Sequence, residues 1–129
     1  MARRVILVAS PDDVRLERWI SVIRQAGYLP LPATSVARVL ALLRKVRPAL
    51  VLSDTVFPDG DPSDIQEDMR TVGAQTHVPL IVLDSMTDHM LLDLARDKLT
   101  TLHQGDDDAS VQSLLEQVLG GPRPRRPGS

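Results

Sequence analysis

The stretch Arg47-Pro48-Ala49-Leu50-Val51-Leu52-Ser53-Asp54 decides the architecture of this chain. It is apolar without alternation over residues 49–52 and closes on an acid. A loop rich in Asp, Pro and Gly follows, over residues 57–63. A strand with one wet face would alternate apolar and polar residues. An unbroken apolar run needs cover on both faces, as a parallel strand between two helical layers has. Two further runs of this kind occur, Val5-Ile6-Leu7-Val8-Ala9 and Val78-Pro79-Leu80-Ile81-Val82-Leu83, the second closing on Asp84.

The segments between these runs have helical periodicity. From Asp13 to Gln25 the residues Leu16, Trp19, Ile20 and Ile23 follow the spacing of a one-faced helix, and Gly27 supplies its stop. Ser35 can cap a second helix reaching to about Arg47, with Val36, Val39, Leu40 and Leu43 on one face. Polar residues 63–73 predict a third helix and residues 86–98 a fourth. A last helix starts near Asp108 and packs Val111, Leu114, Leu115 and Val118.

Residues 28–33 and 99–102 read as weaker strands. The former carries Pro30 and Pro32, whose missing N–H groups lie on one side of a strand, so it belongs at a sheet edge. Five strands alternating with five helices predict an α/β fold with a doubly wound five-stranded parallel sheet. Residues 1–119 form the expected domain. Residues 120–129, rich in Pro, Arg and Gly, read as a disordered tail.

Bulk properties remove several function classes. A net charge of −2 gives no electrostatic grip on nucleic acid or anionic membrane, and one Trp, one Tyr and one Phe leave few rings for base stacking. The chain has no cysteine, hence no disulfide, zinc thiolate or cysteine nucleophile. The basic start Met1-Ala2-Arg3-Arg4 leads into an apolar run that stops at Ala9, too short for a signal peptide core. No stretch approaches a membrane span, so a cytoplasmic location is expected. His77, His89 and His103 show no metal-ligand spacing.

From Arg4 to Leu119 the sequence resembles the receiver domain of bacterial response regulators (CheY-like, flavodoxin-like fold). The matching pieces are Val5-Ile6-Leu7-Val8, Ala26-Gly27-Tyr28, Arg47 to Asp54, Phe57-Pro58 with Asp61, and Pro79-Leu80-Ile81-Val82-Leu83. The resemblance implies strand order 2-1-3-4-5, which puts the second strand at the edge that its prolines require. It also implies that Asp54 stands where the family's aspartate accepts a phosphoryl group from a histidine kinase.

The same resemblance shows what this chain lacks. Phosphoryl transfer to a carboxylate needs Mg²⁺ and fixed donors for the transferred oxygens. The family supplies an acidic pair after the first strand, a Ser or Thr after the fourth and a Lys after the fifth. Here those positions carry Ala9 and Ser10, Asp84, and Gln104 (or His103 with a shifted gap); Gly105 replaces a usual Pro, and Thr101 replaces the switch aromatic. Asp84 puts a like charge beside Asp54. Ser10-Pro11-Asp12-Asp13 reads as a helix start with Ser10 as N-cap, in preference to a metal site using Asp12. Mg²⁺ is not expected, the weaker alternative being a divalent cation held by Asp54 and Asp84 with Asp12.

The expected function is therefore a pseudo-receiver, a non-enzymatic protein-interaction module in two-component or phosphorelay signalling that acts without phosphorylation. One alternative is a working stand-alone response regulator phosphorylated on Asp54. Another is a flavodoxin-like small-ligand or cofactor-binding protein, for which no Gly-rich phosphate loop is present. The chain shows no attached output domain, so its partners are expected to be other signalling proteins rather than nucleic acid or membrane. Met86, Met90 and Leu94 mark a wide apolar face on the fourth predicted helix, which with the last strand and last helix is a candidate surface for a partner or a homodimer.

Overall fold

A computed structural model describes residues 4–71, 77–84, 100–104 and 107–119. In chain order the elements are β1 (Val5–Ala9), α1 (Asp13–Gln25), β2 (Leu29–Ala33), α2 (Val36–Leu43), β3 (Leu50–Ser53), α3 (Pro62–Thr71), β4 (Leu80–Asp84), β5 (Thr100–Gln104) and α4 (Asp108–Leu119). The helix expected over residues 86–98, and with it Met86, Met90 and Leu94, lies outside the described residues, as does the tail 120–129.

All strand pairs are parallel, in the order β2-β1-β3-β4-β5. The two prolines sit on the edge strand as the sequence requires. The Leu29 N–H donates to the Arg4 carbonyl on the β1 side, so Pro30 and Pro32 turn their missing donors outward.

β1 shows why the central strands are apolar throughout. Ile6 and Val8 point to one face and pack with Trp19 and Ile23 of α1, Leu50 and Leu52 of β3, and Val111 and Leu115 of α4. Leu7 and Ala9 point to the other face, among Val39 of α2, Val51, Ile65 and Met69 of α3, and Val82. The sheet is thus a wall between two cores, and its strands carry apolar side chains at both parities.

The helix ends follow local chemistry. α1 stops in a Schellman motif: Gly27 N–H donates to the Arg24 carbonyl and Tyr28 N–H to Ile23, with Gly27 at φ +93°. Tyr28 is then buried in the same core as Ile23. α2 is shorter than its periodicity suggests. It ends at Leu43, and Lys45 and Val46 close the last turn onto the Leu42 carbonyl. At α4, the Asp107 carboxylate accepts from the Ser110 N–H and hydroxyl, contacts that hold its pKa below the usual carboxylate value.

Candidate functional site

Asp54 follows β3 at the carboxyl edge of the sheet, where open α/β folds place their ligands. It is buried, with 4% of its surface exposed, so its charge must be compensated from within the protein. Its backbone N–H donates to the Ala9 carbonyl, which fixes it against the end of β1.

Three groups meet its carboxylate. The Ser10 hydroxyl donates to Oδ2 at 2.8 Å, and the Thr55 N–H donates to Oδ1 at 2.7 Å. The Arg15 guanidinium forms an ion pair with Oδ1, Nη1 lying 3.2 Å away. Ser10 is itself positioned: fully buried, it receives a hydrogen bond from the Asp12 N–H at 3.0 Å, while its own N–H donates to the Ala33 carbonyl on β2. Arg15 lies one helical turn before Trp19, its guanidinium carbon 5.0 Å from the Trp ring centroid. Ring and carboxylate together confine a side chain that would otherwise carry much rotamer freedom.

This arrangement corrects the expected helix start. Ser10 does not cap α1, because its hydroxyl is turned to Asp54. The N-cap is Asp12, whose carboxylate accepts from the N–H groups of Val14 and Arg15 at 2.9 and 3.1 Å. Pro11 therefore precedes the cap instead of opening the helix. Sequence reading did not find Arg15. Its polar place beside the apolar stripe on α1 looked like ordinary solvent exposure, and only the fold brings it to a residue 39 positions away.

Of the other positions singled out in the sequence, Ala9, Asp84 and Gln104 lie at the same carboxyl edge of the sheet, whereas Thr101 stands near the amino end of β5. Ala9 is the buried last residue of β1, paired with Ala33 and Ser53. Asp84 ends β4 and pairs in register with Gln104, the last residue of β5; Thr101 pairs with Ile81. The side chains of Asp84, Thr101 and Gln104 lie outside the described residues.

The loop after Asp54 is fastened to its neighbours. Phe57 and Gly60 form a short antiparallel bridge that buries the Phe57 ring. Asp59 then reaches back to α2, where its two oxygens accept from the N–H groups of Val36 and Ala37, both at 2.9 Å. These hydrogen bonds hold the Asp59 pKa below the usual carboxylate value. Ser35 adds the local cap, accepting from the Arg38 N–H. A Cβ at Gly60 would stand 2.5 Å from Asp64 Oδ2 and 3.3 Å from Val36 Cγ2. The same Asp64 oxygen accepts from the Asp61 N–H at the start of α3. Gly60→Ala is therefore expected to dislodge that contact and lower stability by about 1–2 kcal/mol, read by chemical denaturation.

Magnesium suits the described donors poorly. It calls for six oxygens in near-octahedral order, usually with one or two carboxylates. Among the described residues no cluster of three acids or histidines could hold a metal ion. Asp12 is occupied at the helix start, and each Asp54 oxygen already accepts from the protein, one of them from a cation.

No family model matches the sequence. Two curated proteins align along most of it. Transcriptional regulatory protein AfsQ1 of Streptomyces coelicolor is 28% identical over 115 residues, and DNA-binding response regulator MtrA of Mycolicibacterium smegmatis is 27% identical over 117. The alignments cover 89% and 91% of this chain but 47% of either relative, so the chain spans about half their length. Among solved structures, the chemotaxis response regulator CheY4 of Vibrio cholerae superposes with a TM-score of 0.82 at 16% identity, covering 91% of this chain and 99% of that one. The receiver domain of sensor histidine kinase PA1611 from Pseudomonas aeruginosa, which has a magnesium ion in its active site cleft, gives 0.81 at 17%, covering 92% and 99%. The fold is thus the flavodoxin-like fold of CheY-type receiver domains, and the sequence is similar to the two response regulators along most of its length. Among the described residues no helix is long and apolar enough to cross a membrane.

Proposed function

We propose that this receiver-type domain is a non-catalytic interaction module that signals through its folded surface, without a phosphorylation cycle at Asp54. The observation that carries this reading is the engagement of both Asp54 oxygens, by Ser10 on one side and by Thr55 and Arg15 on the other. A carboxylate that attacks a phosphoryl group must present a free lone pair in line with the leaving group, beside a cation that neutralises the incoming oxygens. Here the nucleophile is already a hydrogen-bond acceptor and ion-pair partner.

Incubation with acetyl phosphate and Mg²⁺, followed by intact-mass measurement, tests this. The expected spectrum shows the unmodified chain alone. A phosphoryl adduct that disappears in Asp54→Asn would favour the second reading, a phosphorylated response regulator. Partners are expected among other signalling proteins, in keeping with the similarity to response regulators and to a histidine kinase receiver domain.

A further inference from the structure

We infer that Arg15 is a tethered counter-ion that takes over the role of a bound divalent cation, making the charge and shape of the Asp54 crevice independent of metal. The inference deepens the reading of the site as one without phosphoryl transfer, but it rests on a different property of the crevice. Asp54 is a buried carboxylate whose side chain is 6% exposed, and the positive charge that meets it belongs to the chain. A Mg²⁺ ion bound to Oδ1 would have to sit beside the guanidinium already 3.2 Å from that oxygen, and like charges at such separations repel strongly where water is scarce. On the other oxygen, Ser10 supplies a hydroxyl hydrogen at 2.8 Å, so a donor occupies the place of an oxygen ligand.

Arg15 is suited to permanence. A guanidinium stays protonated at any pH the protein meets, and its plane can pair with a carboxylate while stacking on a ring. Trp19 is that ring, and it is fully buried. A metal ion comes and goes with its free concentration, whereas a side chain fixed between a carboxylate and an indole does not. The crevice is thus held in one electrostatic state, which suits a module whose partners read a constant surface.

The test is a MgCl₂ titration of the full chain into the millimolar range, with KCl controls of equal ionic strength. Two signals are followed: the thermal midpoint and the emission of Trp19, the sole Trp of the chain. Neither should change in a saturable way for the natural sequence. The double substitution Ser10→Asp with Arg15→Ala should create a Mg²⁺-dependent rise in the midpoint, because it adds an oxygen ligand and removes the competing charge. Ser10→Asp with Arg15→Lys should stay insensitive, since the charge is retained. Saturable Mg²⁺ stabilisation of the natural sequence would overturn the inference. So would a folded Ser10→Asp/Arg15→Ala protein that ignores Mg²⁺. The titration and the phosphodonor assay fail separately: a metal-insensitive chain that still takes up phosphate defeats the functional reading alone, and a Mg²⁺-responsive chain that takes up none defeats only the counter-ion.

Discussion

Trp19→Ala is expected to lower the stability of the domain by about 3–5 kcal/mol, the range for deleting a large buried ring. Trp19 is fully buried and stands in the core formed by α1, α4 and one face of β1 and β3. Its neighbours are strand residues fixed by the sheet and helix residues fixed by their own packing, so the space left behind cannot collapse easily. The substitution also removes the ring against which Arg15 lies. Urea denaturation followed by far-ultraviolet circular dichroism would give the value. A cost below about 1 kcal/mol would show that the side of the sheet carrying α1 is loosely packed, contrary to its burial.

Ile65→Ala is expected to cost about 2–5 kcal/mol through the opposite core. Ile65 is fully buried on α3, among Leu7, Val39, Val51 and Val82. Among the described residues the two belong to separate core clusters, on opposite faces of the sheet. The double variant Trp19→Ala/Ile65→Ala should therefore lose the sum of the two single effects to within about 0.5 kcal/mol. A strong departure from additivity would mean that the strands transmit strain between the two layers. That would matter for the proposed signalling role, since the Asp54 loop is tied to α2 through Asp59, on the layer that Ile65 serves.

The fold was legible because its signals are redundant. Apolar runs at 5–9 and 49–52 specify strands buried on both faces. Gly27 can sit at a helix end with positive φ, and the two prolines of β2 admit one place in the sheet. Element ends were less legible. The apolar face of the second helix continues toward Val46, but the backbone tightens after Leu43, a choice made by how Lys45 and Val46 close the turn. At the site, Asp54 was visible from its position after a buried strand. Its partners were not, because Ser10 obeys local capping rules equally well and Arg15 carries no motif. Likewise Asp59 lies in a loop whose acids look alike in sequence. It becomes a cap for α2 only when the chain brings residues 23 positions apart together. Long-range electrostatic pairs of this kind leave no periodic trace.

The outward-facing prolines of β2 also bear on how this domain meets other chains. Sheet edges are where proteins add foreign strands, by design in peptide recognition and by accident in aggregation. At Pro30 and Pro32 the exposed edge offers carbonyls but lacks the N–H groups that a docking strand would need as donors. Recognition by strand addition is therefore closed on that side, and so is edge-to-edge polymerisation at high concentration. A partner approaching the β2 side must read side chains on helices and loops, which makes the contact specific to this sequence instead of to backbone that any strand could supply.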